Sequence, residues 1–346
     1  MDVKKYLSDY SEEADLYLSN YFSQKRKEAS GIDPLTVNVL NTLENFIQGG
    51  KKVRGALTVL GYKMVGGKKI DDILPVSCAI EIMHSSLLIH DDFIDHDNFR
   101  RGKPTVHRIY AKENSEHYGA SIALIIGDVG IFLSNQILAD SSFNPKLIIR
   151  AFHEYEDLLV NTGYGEILDI AFDKKTSISW DDILKIRKYK TAHYTFVMPL
   201  TVGAVLGGAD SRVLSGIKNY GEPIGIGFQI RDDILGVFGD PKVTGKSNES
   251  DIKDGKRTFL STKAMELVSS SDKEFLKKYY GSKGLRKKEV IKIKNIIKTS
   301  GALEYSQNLA LNLAEKGKKY IHKVSKDEGS QKILAEFANF VVTRDK

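Results

Sequence analysis

The stretch from His84 to His107, HSSLLIHDDFIDHDNFRRGKPTVH, constrains this chain more than any other. An apolar, helix-compatible run delivers the carboxylates of Asp91, Asp92, Asp95 and Asp97, and Arg100 and Arg101 follow in a turn. On a helix Asp91 and Asp95 project from one face about 6 Å apart. Like charges that close repel unless a cation lies between them. The pair is therefore a candidate Mg²⁺ site, because Mg²⁺ is commonly held by one or two carboxylates and completed by water and substrate phosphates. Adjacent arginines suit a phosphate bound beside such an ion.

The chain has 346 residues, with no linker-like stretch between halves, which favours one large domain. Its net charge of +6, from 51 basic and 45 acidic residues, fits an anionic small substrate as well as a nucleic acid and decides nothing alone. Cys78 is the only cysteine, which excludes a disulfide framework and a cysteine metal cluster. In VSCAIEIM it reads as a small buried apolar residue. The first ten residues are too acidic and too little apolar for a leader. No apolar run approaches the roughly 18 residues of a membrane span, so a cytoplasmic location is expected.

Periodicity predicts an all-α fold. Residues 1–48 are helical with a break near Gly31 to Pro34, and Val37, Leu40, Leu43 and Ile47 form one stripe of the second piece. Gly49-Gly50 ends that helix, and Val53 to Val65 begins a mostly buried one. A long helix is expected over residues 71–97, then others over 115–139, 145–172, 180–206 and 212–238. Residues 239–257 are polar and hold a proline and glycines, which predicts a loop over a site. Ala302, Tyr305, Leu309 and Leu313 stand at helical spacing in the tail. Sustained alternation is missing, so strands are absent or marginal.

Two segments echo each other: residues 85–95 and 227–236 both run apolar residues into Asp-Asp, the second as GFQIRDDILG. A lone DDxxD reads first as an exposed acidic helix end, but two such pairs suggest facing helices of a bundle holding a ligand. Lys51, Lys52 and Arg54 follow a Gly-Gly break at a helix start, where backbone N–H groups favour anions. Arg100, Arg101, Lys190, Lys246 and Lys256 lie in or beside loops. Each basic residue alone reads as solvated surface. Together with the carboxylates they describe a diphosphate site.

GGKKVR at 49–54, HDDFID with RRG at 90–102, GEILD at 165–169, KT at 190–191 and FQIRDD at 228–233 resemble the trans-isoprenyl diphosphate synthases, the polyprenyl synthetase family, in its archaeal geranylgeranyl form. Their order and spacing match from about residue 45 to 260. The resemblance implies one domain over residues 1–346, an all-α bundle of isoprenoid-synthase type around a deep cavity across which the two motifs face, and a homodimer. It implies a Mg²⁺-dependent prenyltransferase condensing isopentenyl diphosphate with an allylic diphosphate, with three ions when substrate is bound. Asp91 and Asp95, supported by Asp92, resemble the ligands of the first motif; Asp232, with Asp233 beside it, resembles the second. Lys51, Arg54, His84 and Arg101 resemble the isopentenyl diphosphate site. Arg100, Lys190, Lys246 and Lys256 resemble contacts to the allylic diphosphate. Thr191 and Gln229 match positions whose oxygen dipoles face the allylic cation, and Asp169 one near it. Gly236 stands where many relatives have a third aspartate, Gly55 replaces a frequent proline, and Glu166 a frequent glutamine. Asp97 lies at the wider spacing of some relatives, but Asp95 shares a face with Asp91.

In this family the product tail grows along the first aspartate-rich helix. Ser86 lies five positions before Asp91, roughly 7 to 8 Å along the axis, and a small hydroxyl does not block. Ser86, Leu87 and Phe132 are therefore expected to govern chain length, with geranylgeranyl diphosphate as product and a C25 or longer product as the alternative. A terpene cyclase would not need Lys51, Arg54 and His84, and a non-catalytic regulatory subunit would tend to lose motif residues. The run from 283 to 298 has seven basic residues against one acidic but no interleaved aromatics, which argues against nucleic acid. It leaves peripheral membrane contact as a possibility.

Overall fold

The computed structural model describes residues 2–172, 175, 179–244, 247–282 and 284–345. Its first helices are α1 (Val3–Ala29), α2 (Pro34–Ile47), α3 (Val53–Lys63), α4 (Ile70–Ile94), α5 (Val106–Ala111), α6 (Glu116–Ala139) and α7 (Pro145–Phe172). Then come α8 (Trp180–Ile186), a π-helix (Arg187–Val197), α9 (Met198–Leu206), α10 (Ser211–Phe238), α11 (Pro241–Thr244) and α12 (Ser250–Lys253). The last are α13 (Phe259–Leu267), α14 (Ser270–Tyr279), α15 (Lys287–Thr299), α16 (Ala302–Lys318), α17 (Ile321–Val324) and α18 (Glu328–Thr343). Among the described residues the strands are β1 (Phe99–Arg100) and β2 (Lys103–Pro104), an antiparallel pair that sets Arg100 opposite Lys103. The fold is all-α.

Two compact units form. The first takes Met1–Glu154 with Pro199–Asp210, and the second Tyr155–Met198 with Ser211–Lys346. Each is therefore assembled from two separated stretches of chain.

In the first unit α4 packs against α1, α2, α3 and α6. Ile73, Val76, Ile80 and Met83 are at most 1% exposed, and burying each such side chain stabilises by about 1.5–3 kcal/mol. Asp33 caps α2 by accepting from the Leu35 N–H at 2.8 Å, with Pro34 in the first turn, where a missing N–H costs nothing. Ser115 caps α6 in the same way through the Tyr118 N–H. Gly130 lets α6 close on α4, since a Cβ there would lie 2.0 Å from Ser86 Oγ.

Two helices, α4 and α6, are long and apolar enough to cross a membrane by length and composition, although no unbroken apolar run shows it. Isolated polar residues interrupt the runs without lowering their average. The apolar window of α4 is 67% buried inside the protein and that of α6 is 44% buried. Thus α4 is a core helix, whereas α6 leaves Leu124, Ile125 and Phe132 exposed.

In the second unit α10 packs against the π-helix, α16, α17 and α18. The buried face of α16 is Ala302, Ser306, Ala310, Ala314 and Gly317. Tyr305, assigned to the inner stripe by spacing, is 40% exposed beside Trp180. Small residues win that face because the helices approach closely: a Cβ on Gly317 would lie 2.8 Å from Tyr220 O. The segment expected as one helix over 180–206 is interrupted by the π-helix, a wider turn that recurs at functional sites.

Candidate active site

The first aspartate motif closes α4. Its last helical residue is Ile94, and the Asp95 N–H still donates to Asp91 O at 2.8 Å, so Asp91 and Asp95 keep the one-turn relation. His96 then takes a positive φ of 55°, which carries Asp97 off the helix. Asp95 is exposed and Asp91 partly so. Asp92 points inward, its side chain 1% exposed, and accepts from Arg100 Nε at 2.6 Å; Arg100 also reaches Asp91 Oδ2 at 3.4 Å. Burial pushes the Asp92 carboxyl up to about 6 despite Arg100. The hairpin delivers that arginine, with Arg101 and Gly102 both at positive φ between β1 and β2.

The basic cluster of this unit sorts itself. Lys52 turns inward to Asp15 at 2.9 Å and ties α3 to α1, while Lys51 is exposed. Arg101 donates to the carbonyls of Phe46 and Gln48 at the end of α2. Arg54 donates to His84 Nε2 at 2.9 Å. Burial, then Arg54, Arg101 and Arg100, hold the His84 pKa well below its usual value, so the ring is neutral and accepts. Arg54, His84 and Arg101 thus share one electrostatic neighbourhood. Gly55 explains its own departure from proline: its N–H donates to the buried Glu81 carboxylate at 2.7 Å, and a Cβ there would lie 1.9 Å from Tyr10 Oη.

Ser86 is fully buried against Gly130, its hydroxyl donating to Ile82 O at 2.9 Å, and Leu87 is half-buried. Phe132 is 63% exposed on α6, so within one chain it encloses no tunnel floor.

The second unit repeats the outward-and-inward division. Asp233, 4% exposed, accepts from Gln229 Nε2 at 3.1 Å and from the Phe259 N–H at 3.4 Å, and lies 3.8 Å from Arg187. Burial pushes its carboxyl up to about 6 against those partners. Asp232 faces outward and pairs with Arg344. Thr191 Oγ1 donates to Gln229 Oε1 at 3.2 Å, completing a chain from Thr191 through Gln229 to Asp233. Lys190 is clamped by Asp169 at 2.7 Å and Glu166 at 2.9 Å, which gives the glutamate in GEILD a partner. Gly165 permits that clamp, since a Cβ there would lie 2.3 Å from Lys190 N. Burial opposes ionisation of Asp169, but Arg187, Lys190 and Lys256 outweigh it and hold its pKa low.

Where a side chain at Gly236 would begin, the Asp251 carboxylate already stands, with Oδ2 2.1 Å from the Cβ position. A carboxylate from α12 therefore fills the place vacated in the motif. Lys246 lies outside the described residues. Lys256 is exposed. The expected lid over 239–257 is only partly a loop: Ile252 is fully buried in a cluster with Leu260, Leu276 and Ile293, which fixes its second half.

Arg187, Asp251 and Arg344 escaped sequence reading. Arg187 stands three residues before Lys190, a faint signal; Arg344 is over a hundred residues from Asp232, and no local pattern could join them.

Both outward carboxylate sets offer the hard oxygen donors that Mg²⁺ prefers. Among the described residues no group of three or more His, Cys, Asp or Glu forms a cage. The guanidinium seated on Asp232 is itself a cation at one of these positions.

An all-α chain with two aspartate pairs, each turning one carboxylate outward and one into the core, defines a helical class built to hold cations beside anions. Residues 37–299 match the polyprenyl synthetase model, and the chain belongs to that family. It is 32% identical over 346 residues to the short chain isoprenyl diphosphate synthase of Methanothermobacter thermautotrophicus, covering 100% of this chain and 99% of the relative. It is 33% identical over 308 residues to the geranylgeranyl diphosphate synthase of Sulfolobus acidocaldarius, covering 87% and 89%. Among solved structures, geranylgeranyl pyrophosphate synthase from Corynebacterium glutamicum, complexed with isoprenyl diphosphate and magnesium, superposes with a TM-score of 0.92 at 27% identity, covering 99% of this chain and 100% of that one.

Proposed function

We propose that this chain is a Mg²⁺-dependent prenyltransferase that condenses isopentenyl diphosphate with an allylic diphosphate to give geranylgeranyl diphosphate. The observation that carries this reading is the repeated aspartate pair, with Asp91, Asp95 and Asp232 turned outward, Arg344 seated on the last, and inward Asp92 and Asp233 held against Arg100 and Arg187.

Asp91, Asp95 and Asp232 would hold Mg²⁺, three ions with substrate present, which would stabilise charge on the departing diphosphate and so favour ionisation of the allylic C–O bond. Asp95 rather than Asp97 serves beside Asp91, because only Asp95 keeps the helical turn. Lys51, Arg54 and Arg101 bind isopentenyl diphosphate, and neutral His84 positions Arg54. Arg100, Lys190, Lys246 and Lys256 bind the allylic diphosphate, with Thr191 and Gln229 turning oxygen dipoles toward the cation. The isopentenyl double bond supplies the electron pair of the new C–C bond, and the proton then lost goes to the released diphosphate.

Residues 1–346 act as one functional domain, a reading supported by units that each need two stretches of chain. Homodimer assembly is supported by the exposed Leu124, Ile125 and Phe132 on α6. A Phe132→Glu variant is expected to be monomeric by light scattering, and a dimeric mass would refute that face. A cytoplasmic location accords with charged substrates and a lone buried Cys78. Peripheral membrane contact is supported by exposed Lys287, Lys288, Lys292 and Lys298 around Ile291 on α15. Failure to float with anionic vesicles would remove it.

The function is tested by incubating the pure chain with labelled isopentenyl diphosphate, Mg²⁺ and allylic primers of several lengths, then sizing the products. A C20 product is expected. Condensation with no primer would overturn the reading, and a C25 or longer product would move it to a longer-chain synthase. Ser86→Phe should shorten the product, since the larger ring must take room along α4; an unchanged distribution would place the length control elsewhere.

A further inference from the structure

Helix α18 ends at Thr343, and the residues after it lie against α10. Arg344 pairs its guanidinium with the outward carboxylate of Asp232. Three contacts seat it there. Its guanidinium carbon stands 4.1 Å from the centroid of the Phe228 ring, one turn before Asp232. Arg231 Nε donates to Arg344 O at 2.7 Å and fixes the backbone, and Arg231 also reaches Asp345 Oδ1 at 3.4 Å. The Arg344 side chain is 12% exposed and that of Asp232 is 38% exposed. This is therefore a seated, partly desolvated ion pair, of the kind that holds geometry better than a mobile surface pair.

A divalent ion on Asp232 meets a charge of its own sign in that guanidinium. Either the ion stays off or the arginine leaves. We propose that Arg344 is the resident counter-cation of Asp232 in the unloaded chain, and that a divalent ion arriving with a diphosphate displaces it and frees the residues after α18. The inference rests on the reading of Asp232 as a metal ligand. Until that exchange, Arg344 keeps the carboxylate oriented, and it disfavours an ion that comes without a diphosphate to compensate the displaced charge. Phe228 acts through Arg344 as a positioning residue, because a cation over an aromatic face gains from the ring quadrupole without any hydrogen bond.

The test reads ion binding, not turnover. Mn²⁺ is titrated into the full chain with inorganic pyrophosphate, and free Mn²⁺ is followed by its electron paramagnetic resonance signal. Arg344→Gln should bind the ion at this site about tenfold more tightly, the scale of a lost charge-assisted hydrogen bond. Phe228→Leu changes no charge, and should still tighten binding by about two- to fivefold because it removes the seat of the guanidinium. In the unaltered chain, amide exchange at residues 343–345 should rise when Mn²⁺ and pyrophosphate are added together. Unchanged or weaker binding in both variants, while Asp232→Asn loses one bound ion, would overturn the exchange and leave Asp232 a ligand. Full ion stoichiometry in Asp232→Asn would remove the metal reading and the exchange with it. If Arg344→Gln fails to fold, Phe228→Leu and the exchange measurement still decide.

Discussion

The two aspartate pairs share a construction and differ in what holds them. Successive residues on an α-helix point about 100° apart, so each Asp-Asp necessarily splits into one outward and one inward carboxylate. Asp92 is 1% exposed and Asp233 4%, and burial pushes both up to about 6. Asp92 relies on one short bond from Arg100 at 2.6 Å, whereas Asp233 spreads its charge over Gln229, the Phe259 N–H and Arg187. The outward members differ more. Asp91 and Asp95 sit at the very end of α4, the negative end of its helix dipole. Asp232 lies six residues before the end of α10 and already carries Arg344. The chain supplies each motif with a guanidinium, but from different distances: Arg100, nine residues on, lies 3.4 Å from Asp91, whereas Arg344, over a hundred residues on, pairs with Asp232.

The largest effect separating them concerns the outward carboxylates. Asp91→Asn or Asp95→Asn should lower kcat by about 10²–10³-fold, the scale of losing one element of electrostatic transition-state stabilisation. Asp97→Asn, off the helix, should change it by less than about threefold. Equal losses at Asp95 and Asp97 would show that the helical turn does not select the ligand. Next in size is a pH effect common to the inward members. A carboxyl raised from 3.8 to about 6 in the folded chain stabilises fully below pH 3.8, and that contribution is lost as pH rises through 6. In urea unfolding with chelator present, Asp233→Asn should therefore gain on the unaltered chain between pH 4 and pH 6 by up to about 3 kcal/mol, then level off. A flat difference across that range would mean that Asp233 is not desolvated as its surroundings imply.

Much of this was legible in the chain. Helix α7 begins and ends where its periodicity does, and the break at Gly31 to Pro34 separates α1 from α2 because aspartate, then proline, start a helix. The acidic pairs stand out because each is two adjacent residues, whereas Lys190, expected in or beside a loop, lies within the π-helix and meets Asp169 and Glu166 only through the fold. What escaped depended on distance or on size. Arg344 meets Asp232 only through the fold, and the choice of Lys52 over Lys51 for the interior follows a positive φ of 46° that no composition reveals. On α16, ranking by hydrophobicity chose Tyr305, while close helix packing chose Ala302, Ser306, Ala310 and Ala314. The π-helix left no sign, since its residues read equally well as an ordinary helix.

The smallest predicted effect sharpens the comparison at its one asymmetric position. The second motif lacks a third carboxylate in sequence, but Asp251 Oδ2 stands 2.1 Å from where a Cβ at Gly236 would be. Gly236→Asp should thus force two carboxylates into one place and lower stability by about 1–3 kcal/mol, through overpacking and like charge together. Asp251→Ala removes the occupant, so in the double variant the new aspartate has room and most of the loss should return. The double-mutant cycle by chemical unfolding measures this coupling. If Gly236→Asp is tolerated alone, Asp251 does not fill the site. If the double variant stays as unstable as the single one, α12 contributes packing at that position and its carboxylate is incidental. Recovery would mean that the chain has moved one acidic group from α10 to α12 and kept the number of carboxylates around Asp232 and Asp233 the same.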